Sequence, residues 1–211
     1  MEILANFAVF EGLDGSGTTT QISILEDFFL QNQLSMPPFY ITFEPTNGSI
    51  GKLLRSLLKG EETQRAETMA MLFAADRNEH VFGNGGIAER CKRGELVVCD
   101  RYLLSSLVYQ GITCGEELPA RLNRGFPAPE LLIFLDIEAD TAIERIASRG
   151  AQKEIYENLA FQKQAGARYK ALLPEFASQG VRVETIDASL PPDEVARQVW
   201  GAVEKMPIFK R

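Results

Sequence analysis

The segment Gly12-Leu13-Asp14-Gly15-Ser16-Gly17-Thr18-Thr19-Thr20 constrains this chain more than any other stretch. An apolar run at 7–10 leads into it, and an amphipathic stretch with Ile22, Ile24, Leu25, Phe28 and Phe29 follows it. Strand, glycine-rich turn and helix in that order are the setting of a phosphate-binding loop. Backbone N–H groups converge on an anion there, and the positive end of the helix dipole faces it. The usual spacing is G-x-x-x-x-G-K-[ST]. Gly12 and Gly17 match it, and Thr19 stands where a hydroxyl would meet Mg²⁺. The lysine position holds Thr18. Glycine clusters also mark ordinary turns, but this one lies at the end of the first strand, before a long helix, and reads as a phosphate cradle without its main cation.

The rest of the chain repeats the alternation. Short apolar runs at 7–10, 39–43, 96–99, 131–135 and 181–186 mostly lack strict alternation, as strands covered on both faces do. Helical stretches are expected at about 19–34, 49–59, 64–92, 103–124, 139–149, 155–178 and 192–205. Pro37-Pro38, Pro127, Pro129 and Pro191-Pro192 punctuate the series. With no linker or internal repeat, residues 1–211 read as a single α/β domain built on a five-stranded, doubly wound parallel sheet.

Charge and cysteine content narrow the function. Twenty-two Lys and Arg against 29 Asp and Glu give a net charge of −7, which argues against a nucleic-acid partner. Phosphorylated small molecules remain open, because a few local cations and amides hold those. No run approaches ~18 apolar residues, so no membrane span is expected. No basic segment followed by an apolar one marks a secretory signal. Cys91, Cys99 and Cys114 lack C-x-x-C spacing and suit free thiols in a reducing cytoplasm. The lone histidine, His80, reads as a helix-surface residue rather than a ligand or base.

Ligands of a doubly wound sheet sit outside the carboxyl ends of its strands. Asp100 closes the run at 96–99, where it could hold Mg²⁺, and Arg101 beside it offers a planar fork for phosphate. A strand-end aspartate capping the next helix is the plainer alternative, and the neighbouring glycine loop favours the metal. Phe73 and Arg77, four residues apart, share a helix face and could stack on a planar base and bond its edge. Phe73 also sits among Met69, Met71 and Leu72, as a core residue would. Ser105 and Tyr109, with Gln110 adjacent, repeat the spacing after Asp100.

Taken together, these residues resemble the thymidylate kinase family nearly end to end. Phe10-Glu11-Gly12 through Gly17 looks like its nucleotide loop, and Glu44-Pro45-Thr46 with Ile50-Gly51-Lys52-Leu53-Leu54-Arg55 like its second-strand loop and helix. Leu72-Phe73-Ala74-Ala75-Asp76-Arg77 is similar to its substrate helix. Asp100-Arg101-Tyr102, Ser105-Ser106 and Tyr109-Gln110-Gly111 look like its signature segment. Leu135-Asp136, Ser148-Arg149-Gly150, Tyr156-Glu157-Asn158 with Phe161-Gln162, and Ile186-Asp187-Ala188 complete the order.

The resemblance implies phosphoryl transfer from ATP to dTMP with Mg²⁺, a lid at about 150–158, and a homodimer through helices flanking the substrate site. It gives Gly12 to Thr20, Arg149, Asp187 and Ala188 to ATP, and Thr19 and Asp100 to the metal. Phe73 would stack on thymine, with Arg77 and Gln110 on its polar edge. Ser105 and Tyr109 would lie by the sugar and base, where Tyr109 disfavours a 2′-hydroxyl, and Glu44 borders the same site. Arg101 would hold the dTMP phosphate, with Asp14 between the two phosphate groups.

Three positions depart from that pattern: Thr18, Phe43 where many relatives have Arg before Glu-Pro, and Ile155 in place of a lid arginine, with Lys153 nearby. Losing one such preorganised contact costs ~10²–10³-fold in rate. The expectation is an active kinase in which Lys153, Arg149 or Lys52 restores charge, with Asp14, Arg101, Asp100 and Lys153 as catalytic residues. The alternatives are a weakly active nucleotide-binding relative and a kinase for another deoxynucleoside monophosphate.

Overall fold

The computed structural model describes residues 2–32, 36–148 and 154–210. Its strands are β1 (Ile3–Gly12), β2 (Phe39–Phe43), β3 (Leu96–Asp100), β4 (Ala128–Asp136) and β5 (Arg182–Asp187). All pair in parallel, in the order β2-β3-β1-β4-β5. The helices are α1 (Thr18–Gln31), α2 (Ser49–Leu58), α3 (Ala66–Phe82), α4 (Ile87–Lys92), α5 (Leu103–Cys114), α6 (Glu117–Asn123), α7 (Ala139–Ser148), α8 (Leu159–Ser178) and α9 (Pro192–Val203).

The central strands explain the sheet. Residues 96–99 and 131–135 are buried throughout, so these runs fit only where helices cover both faces. Full burial of each such aliphatic side chain is worth about 1.5–3 kcal/mol. The acid that ends β3 marks where the core stops, and the register Phe10↔Asp100 brings the ends of β1 and β3 together. The glycine loop and Asp100-Arg101 therefore emerge side by side.

β4 begins at Ala128 rather than 131, and four larger differences from the sequence expectation have structural causes. β1 begins at Ile3 rather than 7, because its ladder to β4 is irregular between Leu4 and Ala8. Asn6 lies there at φ 63°, its N–H on Glu130 Oε2 at 2.7 Å and its amide on the Cys91 carbonyl at 3.2 Å. The stretch at 64–92 is two helices, α3 and α4, parted at 83–86. Gly85 turns the chain there at φ 69°. The stretch at 103–124 likewise divides into α5 and α6 at Gly115, φ 82°. α8 starts at Leu159, not 155, where Asn158 caps it by accepting from the Phe161 N–H at 2.9 Å. The three cysteines are free. Among the described residues, no helix is long and apolar enough to cross a membrane.

Candidate active site

At the carboxyl end of β1 the chain turns sharply, with Ser16 N–H on the Leu13 carbonyl at 3.0 Å. Gly15 (φ 88°) packs so close to α7 that a Cβ would stand 2.4 Å from the Ala142 carbonyl oxygen. Gly17 (φ 97°) is the residue before α1. The loop amides thus face the same opening as the start of the helix. Thr18, first in α1, is buried, and Thr20 is exposed.

Thr19 Oγ1 donates to Asp100 Oδ2 at 2.7 Å, joining the loop to β3. Asp100 Oδ1 is buried and has no hydrogen-bond partner among the described residues. An orphaned carboxylate oxygen beside a hydroxyl is a donor set suited to a hard cation such as Mg²⁺. No group of three or more His, Cys, Asp or Glu with metal-site geometry occurs among the described residues. One carboxylate and one hydroxyl are what a Mg²⁺ completed by phosphates and water requires.

Arg101 follows in a left-handed conformation, φ 67°. Nη2 pairs with Asp14 Oδ1 at 2.6 Å, and Nη1 faces three hydroxyls: Ser105 at 3.3 Å, Tyr109 and Tyr169 at 3.4 Å each. Asp14 Oδ2 accepts from Gln162 Nε2 of α8 at 2.8 Å. A non-glycine residue held at positive φ is strained, and such strain concentrates at functional sites.

Across the opening, Arg77 is 1% exposed and bound on every side. Its Nε and Nη2 meet Glu44 Oε2 at 2.9 and 2.6 Å, Nη2 also reaches Ser106 Oγ at 3.0 Å, and Nη1 bonds Asn123 Oδ1. Glu44, expected beside dTMP, acts here as the counter-ion of Arg77. His80 corrects the helix-surface reading. Its side chain is only 8% exposed, with Nδ1 3.0 Å from Glu44 Oε1 and Nε2 2.6 Å from Thr42 Oγ1. In the tautomer with the proton on Nδ1, His80 donates to Glu44 and accepts from Thr42. The second-strand loop is fixed by Asp76, which accepts from Thr46 N and Thr46 Oγ1 at 2.7 Å each.

These groups line one cleft of about 440 Å³. Leu13, Asp14, Gly15, Gly17, Thr18 and Thr19 bound it on the loop side, with Asp100 and Arg101 next to them. Glu44, Phe73, Arg77, Ser105, Tyr109 and Gln110 line it on the other. Gly12 and Ser16 are buried beneath the loop rather than at its surface. Asp187 and Ala188 do not line this cleft. The Asp187 carboxylate closes a turn on Ser189 N and Oγ (2.8 and 2.6 Å), and the Ala188 carbonyl accepts from Arg145 at 3.0 Å. Arg149 and Lys153 lie outside the described residues. Lys52 is exposed and away from the cleft.

Sequence reasoning assigned no role to several contributors. Arg55 of α2 lines the cleft, its guanidinium on the Pro45 and Thr46 carbonyls and 5.0 Å from the Phe43 ring centre. Glu154 also lines it, and burial, then the charges of Asp14 and Glu157, raise its carboxyl above the ordinary value. Glu11, wholly buried, meets Ser105, Tyr102 and Tyr169. Its position was the available signal, since a carboxylate at the end of an otherwise apolar buried strand needs partners. Gln162 was quoted only within the Phe161-Gln162 match, and Tyr169, about two turns further along the same face of α8, carried no comparable mark.

The model of the thymidylate kinase family matches residues 10–199. A provisionally named thymidylate kinase of Treponema pallidum (strain Nichols) is 42% identical over 172 residues, 82% of this chain and 81% of that protein. A "Probable thymidylate kinase" of Methanococcus maripaludis (strain S2) is 38% identical over 208 residues, covering 95% of this chain and 96% of its own. Another, from Methanocaldococcus jannaschii, is 35% identical over 202 residues, 95% and 97% of the two chains. The matched span carries the glycine loop, Phe73, Arg77 and Asp100-Arg101, the residues that line the cleft. The chain belongs to the thymidylate kinase family.

Proposed function

We propose that this enzyme transfers the γ-phosphoryl group of ATP to dTMP, giving ADP and dTDP. The observation that carries the reading is the division of one cleft: loop amides and Asp100 on one side, Phe73, Arg77 and Gln110 on the other, Arg101 between. The loop amides and the start of α1 would hold the donor phosphates. Thr19 Oγ1 and Asp100 would be the protein donors to Mg²⁺, which when bound neutralises phosphate charge. Phe73 would stack on thymine, while Arg77, fixed by Glu44, and Gln110 read its edge. Ser105 and Tyr109 would lie along the sugar.

Arg101 would hold the dTMP phosphate, drawing it toward the γ-phosphorus, with Asp14 limiting its swing. A phosphate oxygen of dTMP attacks, its bond to the γ-phosphorus forms, and the bond to the β–γ bridging oxygen breaks, leaving ADP. The attacking oxygen is already anionic, so no base needs to remove a proton. Catalysis then rests on alignment and charge neutralisation.

A weakly active relative is the second reading, favoured by one observation: Thr18 brings no charge to the donor phosphates. Three free cysteines support a reducing, cytoplasmic setting. Exposed Leu53 on α2 and Met71 and Phe82 on α3 support a homodimer through the helices beside the site, which light scattering would test. The deciding experiment is a coupled ADP-release assay with ATP, Mg²⁺ and each of dTMP, dUMP, dGMP, dCMP and dAMP. The reading expects dTMP to give the highest kcat/KM. ADP release at background with all five, or a preference for a purine nucleotide, would overturn it.

A further inference from the structure

We propose that Glu11 is a positioning residue for Arg101, tying the strand that feeds the glycine loop to the start of α5 and to Tyr169 of α8. The proposal rests on the reading of Arg101 as the group that holds the acceptor phosphate.

The backbone comes first. The residue before α5 is Tyr102, whose side chain makes no cap. Glu11 Oε1 supplies that cap from the neighbouring strand, accepting from Tyr102 N–H at 3.0 Å and Ser105 N–H at 3.2 Å. A carboxylate at a helix N-terminus is favoured by both the unpaired N–H groups and the dipole. Arg101 N–H is tied to the Phe10 carbonyl at 2.9 Å. Consecutive residues of β1 thus grip consecutive N–H groups on either side of the left-handed Arg101. Strained backbone persists only where its surroundings over-determine it, and Glu11 is one half of that constraint.

The side chain is held by the same carboxylate through hydroxyls. Ser105 Oγ and Tyr169 Oη donate to Glu11 Oε2 at 2.6 and 3.0 Å. The two hydroxyls also lie 2.8 Å from each other, so their two protons are shared between the carboxylate and that contact, and lone pairs are left facing outward. Arg101 Nη1, a donor only, lies 3.3 and 3.4 Å from those two oxygens. An ionised Glu11 therefore presents Ser105 and Tyr169 to Arg101 as acceptors. A glutamine in its place, with its oxygen on the backbone N–H groups, would point its NH₂ at both hydroxyls. The contact between the hydroxyls can take one of their two protons, and the other would then be turned toward the guanidinium.

The test is a double-mutant cycle on the full chain with E11Q, R101A and the pair, reading KM for dTMP, KM for ATP and kcat. E11Q should raise KM for dTMP roughly tenfold or more, the scale of a charge-assisted contact. KM for ATP should stay within about twofold. In the R101A background E11Q should add nothing beyond about twofold, since a residue acting through Arg101 has no effect once Arg101 is gone. Multiplying effects, equal losses for both nucleotides, or an unchanged E11Q would overturn the proposal. R101A with unchanged KM for dTMP would instead sink the Arg101 assignment, and Glu11's role with it. If E11Q shows no cooperative melting, Y169F takes its place in the same cycle under the same criteria, because it removes one of the two relaying hydroxyls.

Discussion

Replacing Glu11 by Gln should make the folded protein relatively more stable as pH rises, even while it raises KM for dTMP. Burial pushes the Glu11 carboxyl from its ordinary 4.5 up to about 7, against the pull of the Ser105 hydrogen bond and the Arg101 charge. The groups facing it are Arg101 and Cys99 from the β3 end, Ser105 from α5 and Tyr169 from α8, with Asp14 and Tyr109 acting through Arg101. Between these two pH values the folded chain keeps a proton that the unfolded chain has released, so stability falls as pH rises. The contribution is fully present below 4.5 and is lost as pH rises through about 7. A rise of that size corresponds to roughly 3 kcal/mol. The amide of E11Q cannot titrate, so the difference in unfolding free energy, variant minus wild type, should climb by roughly 3 kcal/mol from about pH 4.5 to about pH 8. Urea titrations at a series of pH values measure it directly. A flat difference across that window would show that Glu11 ionises in the folded state at its ordinary value.

Three further outcomes follow from the site. Glu44→Ala leaves the buried Arg77 guanidinium without its carboxylate and should cost about 3–5 kcal/mol of stability by urea unfolding; a loss below about 1 kcal/mol would mean that Asn123 and Ser106 suffice. dTMP at ~100 times its dissociation constant should add about 2.7 kcal/mol of stability, with a far smaller thermal shift from UMP if, as proposed, Tyr109 crowds a 2′-hydroxyl; a purine monophosphate that shifts the midpoint while dTMP does not would refute the base assignment. If Lys153 supplies the charge absent at Thr18, Lys153→Ala should lower kcat by ~10²-fold or more with dTMP binding kept, and Thr18→Lys should help little; normal turnover indifferent to both changes would refute the lid-cation reading and the decayed-kinase reading together.

The sheet was legible because runs such as Leu96-Val97-Val98-Cys99 suit only a strand covered on both faces. The phosphate loop was legible because its glycines serve the backbone locally. The helix break at 83–86 was written in Gly83-Asn84-Gly85-Gly86, a turn signal that the long helical reading overrode, whereas the break at Gly115 rests on a single glycine, which a helical pattern can tolerate. The partners of Arg77 and Arg101 were harder for a different reason. Glu44, Asn123 and Tyr169 are distant in sequence and reach these guanidiniums only through the fold. A lone histidine on a helix, His80, says nothing by itself about a carboxylate that follows a strand elsewhere. Glu11 is the intermediate case: its burial follows from its strand, but the hydroxyls that satisfy it come from α5 and α8.

Charge balance then locates where the absence at Thr18 is felt. Among the described residues lining the cleft, the cations are Arg55, Arg77 and Arg101, against Asp14, Glu44, Asp100, Glu154 and Glu157. Arg77 is taken by Glu44 at 2.6 Å and Arg101 by Asp14 at 2.6 Å. Arg55 rests on backbone carbonyls rather than a carboxylate, so its charge is less spent. On the acceptor side little has to change. The contacts of Arg101 Nη1 to the three hydroxyls are long, 3.3–3.4 Å, so that edge of the fork can turn to a phosphate while Nη2 keeps Asp14. In the proposed reading the donor phosphates would meet a different surface, with loop amides, Thr19 and Asp100 that would hold Mg²⁺, and an uncharged Thr18. The lack of a cation there would weaken stabilisation of the transferring group more than the grip on dTMP. An uncharged residue at position 18 should therefore be felt in kcat, while dTMP affinity would stay with Arg101 and the groups that hold it.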